Sequence, residues 1–266
     1  MIGKYYARAI ITNRNLLFWG FLFMLFWLIM GAFAFGFKPA TKIFNLEYTS
    51  TWFALIALYS LSTIGTTVAF SLYYGNSAIR YAFRYTYLTR WNFTLSLMFA
   101  VSIGGILLGS AMLALSVLFF SLKAGYLILP ELPYYSILVE IAGGIIMFLI
   151  SGCLLLIVNN HFSLKNISFI SFVPTILSYI FGFIILGSGL PTWLAISNPF
   201  TELIGLFYYS YSGTYPSSVL STGSGPNLNP IYLGIGLILW IGILFILFAW
   251  MVFGIRPVSS EEARQI

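Results

Sequence analysis

Aspartate is absent from this chain of 266 residues, and histidine and cysteine occur once each, as His161 and Cys153. One cysteine excludes an intrachain disulfide and a cysteine-based zinc site. Without aspartate or a second histidine, neither an HExxH zinc motif nor a Ser-His-Asp triad can be assembled. A phosphate-binding loop of the form GxxxxGK[ST] is also missing. The sequence therefore predicts that the chain is not an enzyme by itself and holds neither a metal nor a cofactor.

Charged side chains are scarce as well, at 7% of the residues against 60% hydrophobic ones. Soluble domains carry about 25% charged residues, and the mean hydropathy of this chain is +0.97. The net charge of +6 is spread over the flanks of apolar stretches instead of forming a basic patch. We therefore expect a membrane protein and no nucleic-acid partner.

Several uncharged apolar stretches are long enough to cross a hydrocarbon core about 30 Å thick, which takes roughly 20 helical residues. They lack the alternation of barrel strands, so helices are predicted. The predicted spans are residues 16–37, 52–74, 92–121, 136–158, 167–187 and 231–253. The predicted fold class is an all-α polytopic membrane protein with six transmembrane helices, forming a single transmembrane domain over residues 1–266.

The basic residues indicate an orientation, because an even number of spans places both termini on one side. With the termini inside, the inner segments hold nine of the twelve basic residues. These nine are Lys4, Arg8, Arg14, Arg80, Arg84, Arg90, Lys165, Arg256 and Arg264, whereas Lys38, Lys42 and Lys123 fall outside. The positive-inside rule then predicts a multi-pass protein of the cell (plasma) membrane with both termini, including a tail at residues 254–266, in the cytoplasm.

Residues 1–14 have an amphipathic pattern, with Lys4, Arg8 and Thr12 on one face. This pattern is typical of an N-terminal interfacial helix whose cations lie near anionic head groups. An ordinary basic flank of the first span is the alternative interpretation.

A second short helix is predicted in residues 76–90, between the second and third spans. Ile79, Phe83 and Tyr87 recur every four residues and form an apolar ridge. Arg80 and Arg84 share the adjacent stripe, and Asn76 or Ser77 can cap the helix N-terminus. Such a helix either docks into a groove on a partner protein or lies at the lipid surface.

The outer segment 188–230 is rich in Pro, Gly and Ser, and its apolar part at residues 203–211 is too short to cross the membrane. Pro191, Asn198 and Pro199 break it into short pieces. These features predict a re-entrant hairpin before span six, tolerated where protein or a cavity covers its backbone, followed by an outer loop. Glu202 in this segment either lines a pathway or has an interfacial or capping role.

This order of parts resembles the ABC-2 type permeases, the transmembrane subunits of ATP-binding cassette exporters. Three stretches carry the likeness: the start at residues 5–8, the basic segment at residues 82–90, which ends in Tyr87-Leu88-Thr89-Arg90, and the segment at residues 190–201 with its Pro-aromatic and Asn-Pro pairs. The long outer loop at residues 214–230 departs from the family pattern. The likeness extends over essentially the whole chain.

The resemblance implies a permease that exports an apolar or amphipathic substrate with ATP and Mg²⁺ bound by separate ABC ATPase subunits. A second permease copy, identical or paralogous, would pair with it in the lipid bilayer. The resemblance implies a cytoplasmic coupling helix, which seats on the ATPase, at Ser77, Ile79, Arg80, Phe83, Arg84 and Tyr87. The path candidates in spans two and five are Phe70, Tyr73, Tyr179 and Phe183.

Two other classes fit the same sequence. A non-catalytic membrane scaffold or assembly subunit fits the shortage of reactive groups. An ion-coupled secondary transporter fits less well, because such proteins use buried carboxylates and the predicted span centres carry none.

Overall fold

The computed structural model describes residues 2–35, 41–161 and 167–254, without the side chains at positions 2, 76, 77, 161, 167 and 168. The predicted tail at residues 254–266 lies outside the described residues except for Gly254, and so do residues 36 and 37 of the first predicted span. The elements in chain order are α1 (Ile2–Ile11), α2 (Leu16–Ala34), α3 (Lys42–Tyr74), α4 (Asn76–Tyr85), α5 (Arg90–Ala124), α6 (Pro133–His161), α7 (Ile167–Gly187), α8 (Thr192–Ser197), α9 (Pro199–Ser212), β1 (Ser217–Val219), β2 (Ser224–Asn227) and α10 (Pro230–Met251).

Helix α1 is amphipathic and lies against the protein. Ile10 is buried, whereas Arg8 is exposed. Tyr6 packs edge-on against Phe93 of α5, with the ring centroids 6.0 Å apart. The apolar face of α1 thus covers the start of α5 and its cations face outward.

Helix α2 departs from regular α-helical geometry at both ends. Leu16–Leu22 and Met30–Ala34 are π-helical, and only Phe23–Ile29 between them is α-helical. The hydroxyl of Ser60 on α3 donates a hydrogen bond of 2.6 Å to the carbonyl oxygen of Gly20. A neighbouring helix therefore satisfies an acceptor in the widened turn, where the bare Gly20 backbone allows α3 to approach.

Helix α3 lies at the centre of the bundle. It packs against α2, α5, α6, α7 and α9, and 94% of its most apolar stretch is buried within the chain. Thr41 caps its N-terminus by accepting a hydrogen bond of 3.3 Å from the Phe44 amide, so the helix begins well before residue 52, the predicted start of the span. Several of its buried hydroxyls bond back to the preceding turn, as Thr67 does to the Thr63 carbonyl oxygen at 2.9 Å.

Glycines bring α5 and α6 close together. A Cβ at Gly105 would lie 2.5 Å from the carbonyl oxygen of Glu140, and one at Gly109 would overlap the Glu140 side chain. Gly144 faces the same crossing, and a Cβ added there would lie 2.7 Å from the carbonyl oxygen of Val101. The GxxxG pair Gly105 and Gly109 therefore forms a helix contact, as small residues do in membrane bundles.

Helices α8 and α9 and the short hairpin fill the region before α10. Thirteen of the fourteen residues of α9 are buried, Tyr209 being the exception. The loop before α6 covers the C-terminal end of α9, because the amides of Glu131 and Leu132 donate to the carbonyl oxygens of Tyr211 and Ser210 at 2.9 and 3.0 Å. This corner packs against α3, α6, α7 and α10.

Where the sequence analysis predicted a loop, the structure contains the antiparallel pair β1 and β2, with Ser217 opposite Asn227. Gly223, with a positive φ angle of 63°, lies in the reversal between the strands, and Gly225, with a φ angle of 87°, lies within β2, where the strand pairing is irregular. The strands are too short, and too rich in Gly, Ser and Pro, to show an alternating pattern in the sequence.

Six of the described helices are long and apolar enough to cross a membrane: Leu16–Ala34, Lys42–Tyr74, Arg90–Ala124, Pro133–Asn160, Phe169–Gly187 and Pro230–Met251. Helix α10 buries only 17% of its most apolar stretch against the chain, so most of its apolar surface is exposed. The predicted class of an all-α, multi-pass membrane protein is confirmed.

Candidate functional site

An open groove of about 410 Å³ runs between α2, α3 and α7. Its lining combines aromatic rings with hydroxyl groups. The lining residues are Asn15, Trp19, Phe23, Met24, Trp27, Thr63, Thr66, Thr67, Phe70, Phe172, Thr175, Tyr179 and Phe183. We call this feature the threonine groove.

Threonine hydroxyls in this groove join α3 to α7. The Thr66 hydroxyl donates to the carbonyl oxygen of Ser171 at 3.0 Å and lies 3.2 Å from the Thr175 hydroxyl. Because these hydroxyls are already bonded within the protein, they present mainly their methyl groups to the groove. None of its described lining residues carries a formal charge at neutral pH, so the groove suits an apolar or uncharged ligand surface.

Three of the four predicted path residues, Phe70, Tyr179 and Phe183, line the threonine groove. The Tyr179 ring stacks on the Tyr59 ring with centroids 4.1 Å apart. Tyr73 does not line the groove, and its ring centroid lies 5.3 Å from that of Tyr74.

The sequence analysis missed the contribution of α2 to this groove, which comes from Trp19, Phe23 and Trp27. A signal was present, since these aromatic residues recur every four positions along one face of the span. The hydroxyl side of the groove had its own signal, because Thr63, Thr66 and Thr67 are spaced to share one helical face.

The predicted ridge of Ile79, Phe83 and Tyr87 is divided in the structure, because its first two residues face the protein and the third is exposed. Ile79 is buried, and Phe83 packs on Phe93 of α5 with centroids 5.4 Å apart. Tyr87 is fully exposed and lies beyond the helix, because Thr86 has extended backbone angles and ends α4 at Tyr85. The predicted ridge is therefore continuous only through its first two residues.

The exposed side chains of α4 include those of Arg80, Tyr81, Arg84 and Tyr85. The two tyrosine rings pair with centroids 4.5 Å apart, a contact that the sequence analysis did not anticipate although the spacing of four residues predicts it. The side chain of Ser77 lies outside the described residues. Two cations and two aromatic rings thus project from a helix whose other face is packed against the protein.

The predicted residues of the re-entrant segment lie at the starts of α8 and α9. Pro191 precedes α8, and Pro199 is the first residue of α9. The Asn198 side chain accepts a hydrogen bond of 3.0 Å from the Phe200 amide and so caps α9. These residues fix the bend between the two helices.

Glu202 extends from the first turn of α9, outside the six candidate spans, and is fully buried. Neither of its carboxyl oxygens has a hydrogen-bond partner among the described residues. Burial raises the pKa of the Glu202 carboxyl to about 8, because the apolar surroundings disfavour its charged form.

Glu140, the other buried acid of the described chain, lies between α5 and α6 and accepts a hydrogen bond of 2.8 Å from the Ser110 hydroxyl. No group of three or more His, Cys, Asp or Glu side chains within the described residues is placed to hold a metal ion.

Comparison with known proteins finds no matching protein-family model and no significant match among curated proteins.

Proposed function

We propose that the chain is the membrane-spanning permease subunit of an ATP-binding cassette transporter. A separate subunit hydrolyses ATP, and two permease copies, identical or paralogous, export an apolar or amphipathic substrate across the plasma membrane. Both termini and α4 lie on the cytoplasmic side, as the distribution of basic residues favours.

The observation that carries this proposal is the contrast between the two faces of α4, of which one packs against the protein and the other is exposed. On its inner face Ile79 is buried, and Phe83 packs edge-on against Phe93 of α5. Its outer face offers Arg80 and Arg84 to whatever binds there. A lipid-surface helix requires an apolar face toward the membrane and a basic face near head groups, whereas Ile79 and Phe83 of α4 already pack against the protein.

The connections of α4 suit a coupling role. It lies between the C-terminal end of α3 and the N-terminal end of α5, separated from them by one residue and by residues 86–89. A force on α4 therefore acts on two long helices at once. Because α3 is the central helix and lines the threonine groove, movement of α4 biases the shape of the groove. Such transmission needs a two-state element whose equilibrium ATP shifts.

The threonine groove supports the export part of the proposal. It is open along one side and lined by aromatic and methyl groups from α2, α3 and α7. Helices α2 and α7 each bury only 33% of their most apolar stretch within one chain, which leaves apolar surface around the groove for a second copy. Two facing grooves would enclose a path for an apolar or amphipathic cargo.

Copurification tests the proposal with a charge-reversal pair and a matched control. The test variant is Arg80→Glu/Arg84→Glu on α4, and the control is Lys42→Glu/Lys123→Glu at the opposite ends of α3 and α5. All four side chains are exposed. We expect an ABC ATPase to copurify with the wild type and the control. We expect its recovery to fall about tenfold or more with the test variant, because like charges across an interface cost several kcal/mol.

Absence of an ATPase from the wild-type sample, with the permease intact and monodisperse, would contradict the proposal and favour a scaffold. Equal loss in both variants would assign the effect to general surface charge and would remove α4 from the docking site.

A further inference from the structure

A second groove of about 480 Å³ lies where α8, α9 and α10 meet. We call it the Glu202 groove. Its described lining includes Ile196 and Ser197 of α8, Glu202 of α9, and Gly236 and Trp240 of α10. None of these residues lines the threonine groove, so the two features are separate.

The carboxyl group of the acid in this groove has no hydrogen-bond partner among the described residues. Glu202 is fully buried, and both its carboxyl oxygens lack a hydrogen-bond partner in the described part of the chain. A buried carboxyl group without partners is costly, and native proteins satisfy such groups with a ligand, an ion or water. Glu202 is one of the residues that line the groove, so a ligand held there lies beside its buried carboxyl group.

Gly236 allows polar atoms of α8 and α9 to meet the bare backbone of α10. A Cβ at this position would overlap Oε1 of Glu202 and would lie 2.9 Å from the carbonyl oxygen of Ile196. Trp240 holds the same region together, since its indole N–H donates to the Ser197 carbonyl oxygen at 2.9 Å. Acceptor oxygens therefore converge at one end of the groove, and no described lining residue supplies a cation.

The α10 side of the groove is apolar and exposed. Ile235, Leu239 and Ile243 recur every four residues along one face and are exposed. An extended hydrocarbon chain fits such a stripe, because it exchanges one apolar contact for another while its head group stays at the acid.

We propose that the Glu202 groove binds the primary ammonium group of an amphiphile, whose hydrocarbon chain lies along the Ile235, Leu239 and Ile243 stripe of α10. An ammonium group carries one positive charge and three N–H donors, which match a single carboxylate and a neighbouring carbonyl oxygen. The site belongs to this chain alone and does not depend on the proposed transport function.

Binding should strengthen as the pH rises. With the groove empty, the raised pKa of Glu202, about 8, keeps its carboxyl group largely protonated at neutral pH. An alkylammonium group has a pKa near that of lysine, about 10.4, and therefore stays charged below that pH. It therefore binds the deprotonated carboxylate, and affinity falls about tenfold for each pH unit below the pKa of Glu202.

Other titratable groups do not account for this dependence. Burial is the sole cause of the shift at Glu202, and Tyr232 on α10 is the other titratable side chain in the described lining. Helix α8 carries no titratable residue. Helix α9 itself carries Tyr208, Tyr209 and Tyr211. Among the side chains that the structure describes, the elements packed on α9 bring these further groups: from α3 Lys42, Glu47, Tyr48, Tyr59, Tyr73 and Tyr74, from the loop before α6 Glu131, from α6 Tyr134, Tyr135, Glu140 and Cys153, and from α7 Tyr179. The side chain of His161, at the end of α6, lies outside the described residues.

The test uses the full chain in phosphatidylcholine nanodiscs, titrated with dodecylamine in a calorimeter, with empty nanodiscs subtracted. Dodecanol, which has the same chain and no amine, controls for partition into lipid. We expect saturable dodecylamine binding that Glu202→Gln weakens about tenfold or more, since a charge-assisted hydrogen bond is lost. Glu140→Gln is the matched control, because it neutralises the buried acid that lies outside the groove.

If Glu202→Gln fails to fold, the proposal is tested by dodecylamine binding to a second variant and by the pH dependence of wild-type binding. Gly236→Ala places a methyl group against the carboxyl and should also weaken binding. Wild-type binding of dodecylamine should rise toward pH 8 while that of dodecanol stays constant. Equal binding of the two compounds, equal affinity of the wild type and a folded Glu202→Gln variant for dodecylamine, or pH-independent binding would overturn the proposal.

Replacing part of the phosphatidylcholine with phosphatidylethanolamine identifies the source of the ammonium group. Competition by this lipid would weaken the apparent binding of dodecylamine and would assign the groove to a membrane lipid. Unchanged binding would assign it to a soluble amphiphilic amine. Both results presuppose the saturable, Glu202-dependent site.

Discussion

Gly105 shows how single residues hold this bundle together. In lipid, helix association gains little from the hydrophobic effect and depends on close packing and hydrogen bonds. At the crossing of α5 and α6, Gly105 faces the Glu140 carbonyl oxygen and the Cα of Gly144. Gly65 has the same role between α3 and α6, where a Cβ would lie 2.6 Å from the Met147 carbonyl oxygen. At both positions an added methyl group would meet a backbone carbonyl oxygen, which cannot move aside as a flexible side chain can.

Gly105→Ala should destabilise the folded protein by about 1–3 kcal/mol, the usual cost of overpacking, because its methyl group meets backbone atoms of α6. Gly242→Ala on α10 is the matched control, since a Cβ there meets nothing within 4 Å. The control should be neutral or slightly stabilising because alanine favours helix. Thermal unfolding in detergent measures both, and equal midpoints for the two variants would refute the packing argument.

At the scale of elements, two helices begin with the same dipeptide. Asn198-Pro199 starts α9 and Asn229-Pro230 starts α10. In each case the asparagine side chain accepts a hydrogen bond from the amide two residues on, at 3.0 and 2.9 Å. Proline suits the first helical position because its missing N–H would have no partner there. The two caps differ in burial, since Asn198 is buried and Asn229 only half-buried.

Asn198→Ala should lower the free energy of unfolding by about 1–2 kcal/mol, and Asn229→Ala by less. The Phe200 amide is left buried without a partner in the first variant, whereas the Ile231 amide in the second variant lies in an exposed residue. Chemical denaturation in mixed micelles compares them. A larger loss for Asn229→Ala would show that burial does not set the strength of the cap.

Sequence periodicity predicted elements well where lipid imposes a length and poorly where tertiary contacts decide. The long apolar stretches gave the six candidate spans, because a membrane requires a minimum helix length. The end of α4 was missed, because the pattern of Ile79, Phe83 and Tyr87 continues past the backbone break at Thr86. The pair of strands was missed because its pairing depends on glycines with positive φ.

At the scale of the whole molecule, the orientation is open to a direct test. Tyr87, between α4 and α5, and Leu127, between α5 and α6, are both exposed and lie beyond opposite ends of α5. Cys153 is buried and is the chain's single cysteine, so a Cys153→Ala background accepts single reporter cysteines.

A membrane-impermeant maleimide should label Leu127→Cys in intact cells and Tyr87→Cys only after the membrane is opened. The opposite result would invert the orientation and place α4 outside, where no cytoplasmic ATPase reaches it. Labelling of both from the same side would contradict a membrane crossing by α5.

The site was partly predictable for a similar physical reason. Phe70, Tyr179 and Phe183 were chosen as aromatic residues of two spans, and the structure brings them into one groove. The aromatic face of α2 was not included, because a single sequence does not show which helices become neighbours. The environment of Glu202 was also beyond the sequence, since its isolation depends on α8 and α10 packing around it.

The central position of α3 has a consequence for how the protein is made. Among the six candidate spans, α3 has the lowest mean hydropathy, 1.7, and is the most buried. Four of its packing partners, α5, α6, α7 and α9, follow it in the chain, and among the spans only α2 precedes it. During synthesis the span least suited to lipid therefore enters the membrane before most of its neighbours exist. Several of its serine and threonine hydroxyls, such as those of Thr49 and Thr67, bond to carbonyl oxygens of their own helix, which lowers the cost of placing them in lipid before the partner helices arrive.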